Sequence, residues 1–336
     1  MDSETITVSN ALDGRAWALC VLLTLCPALF AAWYANSPAD LAPALAILPA
    51  WMAAAAILAA IGAFAHMVAR KEPSPAAAIA RMVQQDWRAI LQAALLILLA
   101  GLNMITFMWI KPLLNQLVPF WADPLLALFD NALFFGHDPW TLLDWANVPF
   151  AGLIYHPVWF FTIAIALLVA TFAPASRERS AIIVSYFVLW SLVAPIVHSL
   201  LPAVGPIFYE AMGYGPRFAA MQNNPETAAV AGYLWDFYES GSFGAGNGIS
   251  AMPSMHVTTS SWVVIATYVL RRRWLPVALA AWAVIFTLSI ALGWHYAVDG
   301  IVGAIAAFSV YRLCLLFFAD RPGEPVSIAQ PVPNPA

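Results

Sequence analysis

Residues 275–294 read LPVALAAWAVIFTLSIALGW and contain no Asp, Glu, Lys or Arg. A helix of about 20 apolar residues is long enough to cross the hydrocarbon layer of a bilayer. Similar apolar runs lie near residues 16–36, 42–68, 89–110, 151–173, 181–201, 253–270 and 299–318. The sequence therefore predicts an all-α, polytopic membrane helical bundle with about eight transmembrane helices.

The composition agrees with a bilayer as the surrounding solvent. Of the 336 residues, 62% are hydrophobic and only 10% are charged, against about 25% charged in a soluble domain. The net charge of -4 provides no basic tract, so we expect the lipid bilayer as a partner and no nucleic acid. The three cysteines lie in apolar runs, which does not indicate a disulfide framework.

The basic residues predict the orientation of the bundle. With eight spans, Lys111 and Arg217 fall on one side of the membrane, and the remaining 12 of the 14 basic residues fall on the other. Because basic residues mark the cytoplasmic side, both termini should be cytoplasmic. We expect an integral multi-pass protein of a bacterial inner membrane, with its active site facing the periplasm.

Two long segments, residues 111–150 and 202–252, lie on the non-cytoplasmic side in this topology. In the first, apolar residues recur at three- and four-residue spacing around Asp123 and Asp130. This pattern is typical of an amphipathic helix that lies in the membrane interface. The alternative is a lid that only packs on the bundle.

A first polar cluster lies on the same side, at residues 244–256, and reads GAGNGISAMPSMH. A glycine-rich loop around Gly248 that leads into a helix presents unpaired backbone N–H groups to an anion. Ser250 and Ser254 add hydroxyl donors, and His256 places an imidazole one turn into the helix. The cluster therefore predicts an anion-binding site.

A second cluster, residues 293–300, reads GWHYAVDG. On a helix, His295 and Asp299 are four residues apart and share one face, within reach of a carboxylate–imidazole hydrogen bond. Such a bond fixes the tautomer of the histidine. A histidine held in this way is either a nucleophile or a metal ligand.

Other chemistries fit these clusters less well. A zinc site needs three or four ligands, and no ligand beyond His256, His295 and Asp299 is apparent, so we expect no metal and no cofactor. Ser254 as the nucleophile of a serine hydrolase lacks the glycine pattern of a nucleophile elbow. Of the other four histidines, His66, His137 and His156 are expected to have structural or interfacial roles, and the role of His198 is left open.

The two clusters together resemble the type 2 phosphatidic acid phosphatase superfamily, through residues 250–256 (SAMPSMH) and 293–300. In detail they resemble the branch that contains inositol phosphorylceramide synthases. Residues 136–143 (GHDPWTLL) and 201–209 (LPAVGPIFY) are also similar to that branch. The resemblance implies a six-helix phosphatase-type core plus interfacial helices. It also implies that His295 attacks phosphorus, Asp299 orients it and His256 protonates the leaving oxygen.

The sequence departs from the superfamily where a phosphate would be neutralised. The usual Lys-x6-Arg-Pro motif is absent, and Leu288 and Ser289 replace the Ser-Arg that precedes the last histidine. A buried phosphate needs a nearby cation. Our first candidate is Arg217, followed by Lys111 and then His198.

The resulting hypothesis is a membrane lipid phosphatase or phosphotransferase, with phosphatidate, a prenyl diphosphate or a phospholipid donor as substrate. Its rivals are a non-catalytic lipid-binding or transport protein and, less compatible with eight spans, a vanadate-dependent peroxidase. The chain should divide into N-terminal helices with an amphipathic cytoplasmic segment (1–110), a phosphatase- or phosphotransferase-like membrane domain (111–320) and a disordered tail (321–336).

Overall fold

The computed structural model describes residues 12–35 and 37–319, and in this part of the chain helices are joined by loops without any strand. Its fourteen α-helices are α1 (Gly14–Tyr34), α2 (Ala42–Leu45), α3 (Ile47–Ala69), α4 (Pro75–Gln85), α5 (Trp87–Leu117), α6 (Asp123–Leu133), α7 (Pro139–Leu143), α8 (Ala151–Thr171), α9 (Arg177–Val188), α10 (Ala194–Leu200), α11 (Pro225–Ser240), α12 (Met255–Leu270), α13 (Leu275–Ala291) and α14 (Ala297–Phe317).

Seven helical segments in the described part are long and apolar enough to cross a membrane. They are α1, Ala39–Ala69, α5, α8, Arg177–Leu200, Arg272–Ala291 and α14. The remaining predicted run, residues 253–270, forms α12, which is apolar but shorter, at 16 residues. The predicted polytopic helical bundle is confirmed, and the chain is an integral multi-pass membrane protein.

The short α12 places its N-terminus inside the bundle. At 1.5 Å per residue, 16 residues extend over about 24 Å, less than the roughly 30 Å of hydrocarbon. The chain before the helix is correspondingly buried, with Ile249, Ala251 and Ser254 all among the least exposed residues. The loop that leads into α12 therefore enters the bundle before the helix begins.

Helix α12 is central, and it contacts α8, α9, α13 and α14. A side chain added at Gly303 of α14 would overlap Thr258 of α12, so glycine at this position lets the two helices approach closely. The close approach brings the start of α12, with His256, beside the start of α14. The two polar clusters are joined in this way at one end of the bundle.

Helix α6 forms where the sequence predicts an interfacial helix, and its polarity is inverted relative to a surface helix of a soluble protein. Its acidic residues Asp123 and Asp130 are buried, at 0% and 2% exposure, whereas Leu128 and Phe129 are 61% and 56% exposed. An apolar outer face suits contact with lipid. The inward carboxylates accept hydrogen bonds from the loop at residues 204–205 and from the second polar cluster, as described below.

The boundary predicted between residues 110 and 111 falls within α5, which continues unbroken to Leu117. The division into an N-terminal part and a phosphatase-like domain stays a prediction. Helix α4 lies in the segment predicted to be amphipathic and has no buried residue. The predicted tail, residues 321–336, lies outside the described residues.

Candidate active site

A cavity of about 420 Å³ opens where α12 begins. It is lined by two predicted catalytic residues, His256 and His295, and by Lys111, Gly248 and Ser250 from the predicted phosphate site. Aromatic and aliphatic side chains of α5, α8 and α11 form much of the remaining wall. The structure therefore brings both polar clusters to one chamber that is polar at one end and apolar elsewhere.

His295 lies in the corner between α13 and α14, where Gly293 takes a positive φ of 75° that favours glycine. The Nδ1 atom of His295 lies 2.8 Å from the carbonyl oxygen of Ala251. A carbonyl oxygen can only accept, so Nδ1 carries the proton and donates it, and Nε2 keeps its lone pair. Burial lowers the pKa of His295 to about 4, against the opposing effect of the hydrogen bond to Ala251. The imidazole is therefore neutral near pH 7.

Asp299 does not form the predicted hydrogen bond with His295. Its Oδ2 lies 3.7 Å from Nδ1 of His295 and instead accepts from the backbone N–H of Tyr296 at 2.9 Å. The reason is that α14 begins after His295, so Asp299 occupies the third helical position and closes a capping box with Tyr296. Ala251 fixes the tautomer, and the Asp299 carboxyl lies close to the ring without a hydrogen bond to it.

His256 is held between aromatic rings of α8. Its ring stacks on Tyr155 with centroids 4.5 Å apart and lies 4.3 Å from the ring of Trp159. Trp159 is itself fixed, because its Nε1 donates to Thr259 Oγ1 at 2.7 Å. The centroids of His256 and His295 are 6.2 Å apart, and both rings line the same cavity. Nε2 of His256 is buried without a partner among the described residues.

The glycine loop before α12 rests directly on α5. Gly248 has a φ of 87°, and a Cβ there would lie 2.8 Å from the backbone nitrogen of Pro112. Asn115, one turn along α5, holds the next residue: its side chain donates to the carbonyl of Ile249 and accepts from its N–H, both at 2.7 Å. Asn115 was not predicted from the sequence, since a lone Asn near the end of a span has no pattern to identify it.

The two predicted serines of this loop have different surroundings. Ser250 lines the cavity, and its Oγ is buried without a partner in the described part of the chain. Ser254 lies outside the lining and caps α12, accepting from the N–H of Val257 at 3.4 Å. Unpartnered polar atoms of the lining also include Tyr155 OH and Trp294 Nε1. A buried donor without an acceptor is costly unless a ligand supplies one.

The three candidate cations are separated by the fold. Lys111 lines the cavity, and no described residue forms an ion pair with it. Arg217 lies apart from the cavity lining, donating to Asp138 Oδ1 at 2.6 Å and to the carbonyl of Ala127 at 2.9 Å. His198 is fully buried and also lies outside the lining. Lys111 is thus the candidate cation that lines the same cavity as His256 and His295.

With this geometry in place, comparison with known families shows that residues 125–313 match a family model described as the PAP2 superfamily. The chain belongs to the PAP2 superfamily. Its members are generally phosphatases, so membership supports an enzyme with phosphatase-type activity on phosphate esters. The match is at the level of the superfamily, and the inositol phosphorylceramide synthase branch stays a prediction. No curated protein and no solved structure matches the chain.

The segment that matches the PAP2 superfamily contains both polar clusters but begins after the end of α5. The lysine that reaches the cavity therefore comes from outside the matched residues. A sequence signal for it exists: Lys111 is followed by six residues and then Val118-Pro119. The chain thus keeps the lysine and proline of the Lys-x6-Arg-Pro pattern and replaces its arginine with valine.

Two acidic residues of α6, Asp123 and Asp130, accept hydrogen bonds from the segments that surround the candidate site. The sequence analysis does not identify them as site residues. Asp123 accepts from the N–H groups of Val204 and Gly205 and from the hydroxyl of Tyr296. Asp130 accepts from two N–H groups at the start of α14. Burial raises the pKa of Asp130 to about 6, opposed by these two hydrogen bonds. Asp130 therefore binds the backbone just after Tyr296, and Asp123 ties the Tyr296 side chain to the backbone of residues 204–205.

Proposed function

We propose that this protein is a membrane-embedded lipid enzyme that forms a phosphohistidine at His295. The observation that carries the proposal is the tautomer of His295. Because the N–H at Nδ1 donates a hydrogen bond to the carbonyl of Ala251, the lone pair of Nε2 is available in a chamber that also holds His256 and Lys111. A neutral imidazole with a free nitrogen is the form needed for nucleophilic attack.

The proposed first step joins Nε2 of His295 to phosphorus. The bond between phosphorus and the leaving oxygen breaks, and the leaving oxygen takes a proton from the imidazolium of His256. Lys111, Ser250 and the backbone at Gly248 would bind the phosphate oxygens. The negative charge of Asp299, 3.7 Å from Nδ1, would stabilise the positive charge that develops on His295.

The second step returns the enzyme to its starting state. The oxygen of an alcohol or of water attacks phosphorus and gives its proton to His256, and the bond between phosphorus and Nε2 of His295 breaks. The acceptor decides the reaction class: water makes the protein a phosphatase, and a lipid alcohol makes it a phosphotransferase.

The charge of the cavity favours a phosphodiester substrate. Apart from histidines, Lys111 is the one cationic side chain lining the cavity in the described part of the chain. A phosphodiester carries a single negative charge, whereas a phosphomonoester carries roughly -1.5 to -2 near pH 7. One lysine matches the diester of a phospholipid donor, so we favour phosphotransfer over hydrolysis of phosphatidate.

Apolar walls and the basic-residue asymmetry support access from the bilayer on the outer side. Phe107, Met108 and Val230 line the cavity, and they offer contacts for a lipid chain while the phosphate lies at the polar end. We place the reaction at the periplasmic face of a bacterial inner membrane, with both termini cytoplasmic.

The test is turnover by the detergent-purified protein. A phospholipid donor with ceramide or diacylglycerol, phosphatidate, and a prenyl diphosphate would be offered separately. We expect a new phospholipid from the donor and acceptor pair, inhibition by vanadate with a chelator present, and no product from His295→Asn. Release of inorganic phosphate alone would indicate a phosphatase. Lipid binding without any turnover would contradict the proposal and indicate a lipid-binding protein.

A further inference from the structure

Residues 136–143 (GHDPWTLL) resemble a branch of the superfamily, but none of them lines the large cavity. Helix α7 of this segment contacts α13, and a second, much smaller cavity of about 10 Å³ lies there. The polar residues in its wall are Asp138 and Trp140 from this segment, Asp130 from α6, and His295 and Tyr296 from the corner before α14. His295 lines both cavities. The segment therefore lies beside the candidate active site without entering it.

The small cavity has in its wall a buried hydrogen-bond donor that lacks an acceptor. Nε1 of Trp140 is buried and has no partner among the described residues, and an indole N–H can only donate. A buried donor without an acceptor is costly, and ordered water commonly supplies one. The volume of about 10 Å³ is close to the roughly 10–15 Å³ that one water molecule needs. The cavity therefore has the size and the free donor expected of a site for a single water molecule.

Two carboxylates in the same wall can accept the hydrogens of that water. Asp130 accepts from two backbone N–H groups at the start of α14, one at each oxygen. Asp138 accepts from Arg217 at both oxygens and from Asn131 at Oδ1. A carboxylate has about four lone-pair positions, so each can accept a further hydrogen bond. A water that accepts from Trp140 and donates to both carboxylates has the roughly three hydrogen bonds typical of buried water.

The other polar groups of the wall have partners within the protein. Nδ1 of His295 donates to Ala251, and the hydroxyl of Tyr296 donates to Asp123. A metal cation suits the cavity less than water does, because the N–H of Trp140 would repel it and the described residues contain no group of three metal-ligating side chains. Water both accepts and donates, as one donor and two acceptors require.

We propose that this cavity binds one water molecule and that Trp140 is a positioning residue that acts through this water on His295. The water joins Trp140 and Asp138 to Asp130, and Asp130 holds the first N–H groups of α14, just after His295 and Tyr296. Segment 136–143 thereby fixes the corner from which His295 reaches the large cavity. Trp140 itself contacts neither the substrate nor the phosphate.

An experimental structure of the detergent-purified wild-type protein, at a resolution that shows ordered water, tests the site directly. We expect one water within about 3.2 Å of Nε1 of Trp140 and of a carboxylate oxygen of Asp130 or Asp138. A cavity that holds no water, or one closed by a side chain, would overturn the proposal. This result does not depend on which reaction the protein catalyses.

Kinetics test the positioning role, which rests on the proposed function. Trp140→Phe removes the N–H and part of the ring, whereas 3-benzothienylalanine at position 140 keeps the shape of the indole and replaces only its N–H with sulfur. In both we expect kcat to fall by about 10-fold with KM within about 2-fold of wild type, because the groups proposed to bind phosphate line the other cavity. Trp145→Phe, at a nearby tryptophan that is 73% exposed, should change neither.

The isosteric variant separates positioning from packing. If 3-benzothienylalanine gives wild-type kcat while Trp140→Phe only lowers the melting temperature, Trp140 has a packing role and the proposal is overturned. If the wild-type protein shows no turnover that depends on His295, the proposed function fails, and the water site is then decided by the experimental structure alone.

Discussion

The N–H at Nδ1 of His295 donates a hydrogen bond to the carbonyl of Ala251 at 2.8 Å. The loop before α12, which contains Ala251, therefore sets the tautomer of His295. The same loop is fixed from the other side, because the N–H of Ala251 donates to the carbonyl of Ala203 at 2.9 Å. The position of His295, the proposed nucleophile, therefore depends on three segments that are far apart in the chain. Changes in any of them should alter activity before they unfold the bundle.

Replacing Asp299 with Asn tests how the tautomer is fixed. The amide oxygen can still accept from Tyr296, and Ala251 still holds Nδ1, so only the charge near His295 is lost. We expect kcat to fall by about 100-fold, less than the roughly 10⁴-fold seen where the carboxylate itself fixes the tautomer. Wild-type activity in Asp299→Asn would show that the charge has no role in the reaction.

Replacing Lys111 with Met tests the phosphate cation. Met keeps most of the apolar stem and removes the charge, so we expect kcat/KM to fall by about 100-fold or more with the fold retained. Lys71→Met, at the chain's other lysine and exposed, is the matched control and should have no effect. Similar activities of the two variants would remove Lys111 from the site.

Replacing Arg217 with Ala separates binding from stability. The sequence predicts a sharp loss of activity, whereas the ion pair with Asp138 predicts a lower melting temperature. We expect Arg217→Ala and Asp138→Ala to lower thermal stability alike and the double variant to lower it little further. A phosphate-binding Arg217 would instead give an activity loss that Asp138→Ala does not share.

Replacing Gly248 with Ala tests the contact between the glycine loop and α5. The new Cβ would meet the backbone of Pro112, so the loop must move away from Lys111. Gly213 is a matched control, because its φ of 79° is similar and its Cβ would have open space. We expect Gly213→Ala to cost about 1 kcal/mol of stability with activity kept, and Gly248→Ala to lose at least 10-fold in kcat/KM.

Asp130 predicts a pH dependence of stability. Its pKa is raised to about 6 in the folded protein, from an ordinary value of 3.8. As pH rises, Asp130 loses its proton at a lower pH in the unfolded chain than in the folded protein. The free energy of unfolding therefore falls between about pH 4 and 6, by up to roughly 3 kcal/mol. Melting curves across this range should show the fall in the wild type and a smaller fall in Asp130→Asn. Identical slopes would contradict the assignment.

The sequence predicts the spans well because lipid imposes a simple rule of length and polarity. It also predicts that His256 and His295 lie close together, since the two clusters are at the same end of neighbouring helices. It misplaces the start of α14: a spacing of four residues indicates a shared helical face for His295 and Asp299, but the capping box begins the helix after His295.

What the sequence did not predict depends on contacts between distant segments. The partner of His295 is a backbone carbonyl, which every residue carries and no motif marks. His156 looks like an interfacial residue until α8 is placed beside α12, where it lines the large cavity. The sequence favours Arg217 over Lys111, because the predicted topology shows only on which side of the membrane each residue lies. The pairing of Arg217 with Asp138 becomes apparent only when the loop that contains Arg217 is placed against α6 and the loop that follows α6.

The most direct test of the account is to map the covalent adduct after reaction with a phosphodiester donor. In His256→Ala, a 4-nitrophenyl phosphodiester can form the adduct, but the second step lacks its base, so the adduct should accumulate. Peptide mapping by mass spectrometry should then find it on His295, labile in acid and absent from His295→Asn. An adduct at another residue, such as Ser254, or turnover by His295→Asn would contradict the phosphohistidine mechanism.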